Sequence, residues 1–423
     1  MVSRRELCAP KTAAIEFRGH AHRSAKQWRS TTHRACPPEQ TFERIQPLLA
    51  RAGVTRVADI TGLDRIGVTV VSAQRPNARS LAAAAGKGFD RIAATVSACM
   101  EAIELHHAEH AELPVELGSL RAMAARGPVV AADRLPLVRD SVYTDDVVLP
   151  WTIGFDLVAQ AETRLPLELV CLPNQEVPAL RMGGQLFQAG SNGLASGNSF
   201  LEALCAGLYE VIERDAHALA QLADRQLGRT APRVDAINSP YPLVRDLAER
   251  LDAAGQLLVV CDVTSDVDVP CHTATILDRH ERNVGAHAGY GSHLDPQISM
   301  VRAITEAVQG RAIYISGSRD DLYVSEFRRW KRGDLASNVR RFLEAPAPIA
   351  PERADCSGAS FEADVATLLA RLSAVGCDEV VVVDLTDPSF GVPVVKVVVP
   401  GLEGYADFAN YAPGPRGAAL LAA

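Results

Sequence analysis

What this 423-residue sequence lacks narrows its function first. No apolar run approaches the roughly 20 residues of a membrane helix, and no signal-peptide core follows Met1. Basic residues are not in excess. Lys and Arg number 43 against 51 Asp and Glu, a net charge of −8, whereas nucleic-acid binders show a basic excess or stripe. The nine cysteines are odd in number and scattered, with no C-x-x-C pair. That argues against a disulfide framework or zinc site and for reduced thiols in a cytoplasm. Low-complexity tracts and sequence repeats are absent. His106, His107 and His110 offer an i, i+4 pair, but the order H-E-x-x-H is missing, and an exposed helix end is expected. Hydrophobic residues at 48% and charged residues at 22% suit a soluble globular protein of two or three domains, or one large α/β unit.

What is present is a helix pattern that recurs. In residues 190–215 a Gly/Ser/Asn-rich loop runs into a helix for which Asn198 or Ser199 is the expected N-cap. At about 100° per residue, Asn198, Glu202, Glu210 and Glu213 fall within an arc of roughly 120°. Leu201, Leu204, Leu208, Val211 and Ile212 gather opposite and face a core. In residues 86–109, Ser97, Glu101 and Glu104 share one face at i, i+4 and i+7, and in 293–312 Arg302, Glu306 and Gln309 repeat the spacing. Each could be a solvated acidic face. Six glutamates on three helices, mostly without Lys or Arg at i+4, are nevertheless not laid out as surface ion-pair ladders. Brought together they repel unless cations lie between them. Magnesium suits such a place, since it takes carboxylate oxygens and keeps water and phosphate oxygens as further ligands.

The remaining chain reads as helix and strand in alternation. A helix opens at Pro38 and closes at Gly53. Residues 54–64 and 66–76 read as two strands joined near Gly62–Asp64, and 151–160 and 165–173 as a strand pair. Residues 242–255 form a helix, 256–264 and 271–278 strands, and the glycine-rich 285–293 a loop whose backbone N–H groups could approach phosphates. Asp320 and Asp321 are expected in a loop beyond the third acidic helix. A helix over 361–376 and strands over 378–386 and 392–404 complete an α/β (α+β) fold with helices packed on mixed or antiparallel sheets. Residues 1–24 carry a basic excess without hydrophobic periodicity and are expected to form a flexible arm.

G-K-G (Gly86–Gly88), S-A-x-x-E-x-x-E from Ser97, N-x-x-x-E from Asn198, E-x-x-E-R from Glu210 and R-x-x-x-E-x-x-Q from Arg302 resemble the YcaO superfamily of ATP-using enzymes. The resemblance runs from about residue 35 to 405 with the blocks in family order. It implies a YcaO-type fold with the ATP site between the glutamate-bearing helices. It also implies a catalytic domain over 36–410, with about 36–230 and 231–410 as candidate lobes, between a basic segment 1–35 and a tail 411–423. By carry-over, Glu104, Glu202, Glu213 and Glu306 match magnesium-binding positions. Lys87, Ser97, Glu101, Asn198, Glu210, Arg214, Arg302 and Gln309 match nucleotide-binding ones, with Arg214, Arg302 and Glu306 nearest the chemistry. Residues 26–41 resemble the N-terminal signature of one branch, whose Lys26 and Arg34 could reach ATP phosphates.

Such enzymes phosphorylate a peptide amide oxygen so that a nucleophile can replace it. Residues 33–80 and the closing PVVKVVVPGLEG are similar to the branch found with a TfuA partner, associated with peptide thioamidation. The end ANYAPGPRGAALLAA lacks the proline-rich tail typical of azoline formation. The expectation is therefore a thioamide-forming enzyme needing ATP, Mg2+, a peptide or protein substrate, a sulfur donor and a TfuA-like partner, with a homodimer implied by the family. The alternatives are an azoline- or amidine-forming cyclodehydratase and a non-catalytic nucleotide-binding accessory protein.

Overall fold

Small side chains decide how closely the helices of this protein approach its sheets. A computed structural model describes residues 13–172, 184–280, 285–319, 349–350, 352–407 and 409–423. Among them the helices are α1 (Pro38–Ile45), α2 (Arg91–His110), α3 (Leu120–Ala124), α4 (Phe200–Leu227), α5 (Pro242–Ala253), α6 (Pro296–Ser316), α7 (Phe361–Ala374) and α8 (Pro415–Ala422).

Two antiparallel sheets each lead directly into a helix. Arg56–Asp59, Thr69–Gln74 and Ala83–Gly88 form the first and precede α2. Arg233–Val234, Gln256–Asp262, Cys271–Asp278 and Ala286–Ser292 form the second and precede α6. The last strand of each is rich in glycine and alanine. A Cβ on Gly86 would stand 2.2 Å from the Ala94 carbonyl oxygen, and one on Gly289 would stand 2.3 Å from that of Ala303. Both helices thus lie with their backbones against a strand. The alanines Ala94, Ala98 and Ala102 of α2, and Ala303 and Ala307 of α6, are wholly buried. The residues 286–292 expected as a loop are therefore a strand, and its glycines serve close packing rather than a turn.

A third sheet of six strands runs Ala161–Pro166, Leu149–Asp156, Val381–Asp384, Val394–Val398, Leu194–Ser196, with Glu116–Gly118 paired to Leu149–Asp156. It draws strands from both sides of residue 230. Helix α4 covers this sheet with Leu201, Leu204, Leu208, Val211 and Ile212 packed against Val382, Val395 and Val397, the apolar face the periodicity predicts. Each such buried aliphatic side chain contributes on the order of 1.5–3 kcal/mol.

Three other expectations change. The chain from residue 13 is not a free arm: Ile15–Phe17 and His20–His22 form a hairpin turned by Arg18 and Gly19, both at positive φ. It is held because Phe17 is buried against Phe155 and Phe200. Past Pro166 the second expected strand becomes a short 3-10 turn, Leu167–Leu169. His107 is buried rather than at an exposed helix end, its Nδ1–H donating to the Ile103 carbonyl. Asp320 and Asp321 lie outside the described residues.

Because the helix backbone cannot retreat from the strand, Gly289→Ala is expected to destabilise the protein by ~1–3 kcal/mol in urea unfolding. Gly62→Ala, where a Cβ meets nothing within 4 Å, should change stability by under about 0.5 kcal/mol.

Candidate nucleotide and metal site

The polar faces of α2, α4 and α6 meet over one cavity of about 1620 Å³. Three capped helix starts fix their register. Asp90 accepts from Ala93 N–H, Ser199 from Glu202 N–H, and Asp295 from Gln297 N–H. Ser199 is thus the cap of α4, which leaves Asn198 free to turn inward. The side chains of Ser97, Glu101 and Glu104 line the cavity from α2, Glu202, Glu210, Glu213 and Arg214 from α4, and Arg302, Glu306 and Gln309 from α6. Asn198, Lys87 and Arg34 join them. All but one of the site residues expected from the sequence therefore line this single cavity.

Lys26 is the exception. Its ammonium is fully buried away from the cavity, 2.5 Å from Asp364 Oδ2 and 3.1 Å from the Gly358 carbonyl oxygen. Asp364 also accepts from the Tyr209 hydroxyl at 3.0 Å. This lysine pins the chain before α1 to α7, outside the cavity lining. Beside it, burial and the Lys26 charge push His33 down to about 3, so its ring is neutral. His33, His293 and Asp364 form the one trio among the described residues whose ligand atoms lie within 4.8 Å of one another, and Lys26 already pairs with His33 and Asp364 while His293 accepts from Asp295 N–H.

The cavity carboxylates are held individually by backbone donors. Glu101 accepts from Ala85 N–H at 3.1 Å, Glu104 from Ser196 N–H at 2.7 Å, and Glu202 from Ala35 N–H at 2.9 Å. One oxygen of each is fixed, which orients the other, as outer hydrogen bonds do for metal-binding carboxylates. Asn198 Nδ2 donates to Glu202 Oε1 at 3.2 Å, and Arg34 stands 3.6 Å from the same oxygen. Lys87 from the strand Ala83–Gly88 reaches Glu306 at 3.1 Å. Gln309 donates to the Ala85 carbonyl at 2.9 Å.

Burial shows in the acidities, and at Glu104 the crowding of like charges adds to it. Burial, with Glu210 and Glu101 nearby, holds the Glu104 carboxyl well above the usual range. Burial likewise raises Glu101 and Glu213, and takes Glu210 to about 7 despite Arg214. Glu306 runs the other way: burial works to raise it, but Lys87 and Arg214 outweigh burial and hold it low. Glu213 Oε2, Arg214 Nη1 and Arg302 Nε are buried with no hydrogen-bond partner among the described residues. An unpaired carboxylate oxygen beside unpaired guanidinium N–H groups fits a ligand bearing both cations and anionic oxygens. Hard carboxylate donors on facing walls fit Mg2+, which retains water and phosphate oxygens between them.

Sequence reasoning missed Lys396, whose ammonium lies behind Glu210 and Glu104 and donates to the Gly190 carbonyl. Burial lowers it to about 8. A single lysine in the valine run 394–399 was the available signal, because a strand buried on both faces rarely carries one. Tyr290, Tyr405 and Asp407 also line the cavity and carried no signal in the sequence.

Fold and cavity together present a space between acidic helices that would suit a polyphosphate and divalent cations. The chain belongs to the YcaO family: the family model described as YcaO cyclodehydratase, ATP- and Mg2+-binding, matches residues 85–403. It is 34% identical over 379 residues to an uncharacterised protein in the tfuA 3′ region of Rhizobium leguminosarum bv. trifolii, covering 88% of each chain. An uncharacterised protein of Methanothermobacter thermautotrophicus is 36% identical over 377 residues, 87% of this chain and 94% of that one. The fold matches the YcaO of Methanopyrus kandleri solved with AMPPCP and Mg2+ (TM-score 0.73, 24% identity, 93% of this chain and 98% of that one). It also matches a heterocyclase solved with substrate and cofactor (TM-score 0.75, 24% identity), of which this chain covers 93% of its own length but only 55% of the other. Among the described residues no helix is long and apolar enough to cross a membrane.

A carboxyl raised from 4.5 to about 7 stabilises the metal-free fold in its protonated form. That contribution is complete below the unfolded-state value and is lost as pH rises through the folded one. The metal-free protein should therefore lose stability between about pH 5 and pH 8, and Mg2+ should offset the loss. Calorimetry near pH 6 should register proton release on Mg2+ binding, diminishing toward pH 8; uptake without proton release would contradict a protonated Glu210.

Proposed function

We propose that this protein uses ATP and Mg2+ to activate a peptide backbone amide by O-phosphorylation, and that it does so to install a thioamide with a TfuA-like partner and a sulfur donor. The observation that carries the reading is the convergence of six glutamates with Arg214 and Arg302 on one cavity, with Glu213 Oε2 and Arg214 Nη1 left unpaired.

An amide carbonyl is a poor electrophile because the nitrogen lone pair is delocalised into it. When its oxygen accepts a phosphoryl group, that oxygen becomes a leaving group. A sulfur nucleophile then adds at carbon, phosphate departs, and C=S replaces C=O. This chemistry asks the protein for positioning and charge neutralisation more than for covalent help. Glu104, Glu202, Glu213 and Glu306 would hold Mg2+, which when bound supplies charge neutralisation on phosphate oxygens. Arg214 and Arg302 present guanidinium N–H groups to the charge that remains. Glu101, Glu210, Ser97, Asn198, Lys87, Arg34 and Gln309 complete the nucleotide wall. The thioamide branch is supported by likeness to the tfuA-region relative over most of the chain. The homodimer is part of the same proposal.

Glu202→Ala is expected to lower ATP turnover by on the order of 100-fold, several kcal/mol of transition-state stabilisation. Unchanged hydrolysis would make the acidic seam mere surface. With peptide, partner and sulfide supplied, mass spectrometry should find exchange of oxygen for sulfur. Loss of water would point instead to azoline formation, and nucleotide binding without any product would leave an accessory protein.

A further inference from the structure

Arg214 is held in an unusual way for a largely buried cation. Its Nη2 comes no closer than 3.5 Å to Glu213 Oε1, and its Nη1 has no partner among the described residues. What flanks the guanidinium is aromatic. The Tyr290 ring centroid lies 5.2 Å from Arg214 Cζ and the Tyr405 centroid 4.9 Å, the two rings meeting edge to face at 89°. We propose that Tyr290 and Tyr405 are positioning residues that clamp Arg214 so that its N–H groups face a bound polyphosphate, an inference that rests on the nucleotide reading above.

The physical argument lies in what a ring can and cannot do. A guanidinium among Glu210, Glu213 and Glu306 would ordinarily close onto a carboxylate and use its N–H groups there. A ring face attracts the cation through its quadrupole without accepting a strong in-plane hydrogen bond. Two such faces draw the group away from the glutamates and leave its donors available.

Both rings are themselves tied to α4, the helix that carries Arg214. Tyr290, in the strand Ala286–Ser292, donates its hydroxyl to Asp407 Oδ2 at 2.9 Å, and Asp407 Oδ1 accepts from Gln221 of α4 at 2.6 Å. Its ring also rests on His217 of α4, centroid to centroid 4.3 Å. Tyr405 is two residues from Glu403, whose N–H donates to Asp215 Oδ1 at 3.0 Å, and Asp215 pairs with Arg416 of α8 at 2.9 Å. The residue next to Arg214 thus anchors the segment that supplies the second ring.

Calorimetric titration with Mg2+ and AMPPCP tests the clamp. Tyr405→Leu and Tyr290→Leu should each weaken binding by about 3- to 30-fold, the range of a desolvated cation–ring contact. Tyr405→Phe and Tyr290→Phe keep the ring and should remain within about threefold of wild type. In an Arg214→Met background the Leu changes should cost less than about twofold, because the cation they hold is gone. Urea unfolding of the nucleotide-free proteins should show the same coupling between Arg214→Met and Tyr405→Leu, a readout independent of any ligand. Leu variants that bind as wild type does would overturn the clamp alone, as would Phe variants as weak as Leu, or Leu losses equal in both backgrounds. A wild-type protein that binds no Mg–AMPPCP would overturn the nucleotide reading and the clamp's purpose together.

Discussion

Taking carboxylates out of water is the constraint around which this structure is arranged. Six glutamates from three helices face one cavity, among cations that include Lys87, Arg34, Arg214, Arg302, Arg319 and the hidden Lys396. Burial raises Glu101, Glu104, Glu210 and Glu213 and so favours their neutral forms, because desolvation penalises a charged carboxylate. Such a site gains from any ligand that brings positive charge with it, and a cation-laden polyphosphate does. The cores beneath α2, α4 and α6 must supply the stability that the seam withholds.

How the fold holds these helices follows from residues with almost no side chain. Gly86, Gly88, Gly289 and Gly291 let α2 and α6 settle onto the strands that precede them. At that distance strand and helix exchange hydrogen bonds across the site: Ala85 takes Gln309 and gives to Glu101, while Lys87 meets Glu306. The strand Ala83–Gly88 therefore joins two helices that are more than 180 residues apart in the chain. Membership of the YcaO family agrees with this arrangement, and the N-terminal strap, through Ala35 and Arg34 at Glu202, closes its remaining side.

Much of this was legible before any coordinates. The three acidic faces and the apolar stripe of α4 follow from helical periodicity, and the valine-rich strands from β-branched runs. The errors also have physical causes. Residues 286–292 read as a loop because glycine usually marks a turn; here its use is to admit a helix, which only the neighbouring helix reveals. Lys26 reads as a phosphate ligand because a lysine beside hydroxyls and an arginine suits an anion, but Asp364 lies 338 positions away and takes it. Phe17 anchors a segment whose basic composition suggests disorder, since one well-buried aromatic outweighs several exposed charges.

By itself the sequence determined which side chains share a helix face, because 3.6 residues per turn makes that a local property. It thereby also determined that three such faces bear carboxylates with too few cations among them. Only the tertiary structure decided that the three faces meet, that Lys26 does not join them, and that Tyr290, Tyr405 and Lys396 do stand beside them. Those are relations between residues remote along the chain, set by packing distances and by competition among partners for each charge, and no local spacing encodes them.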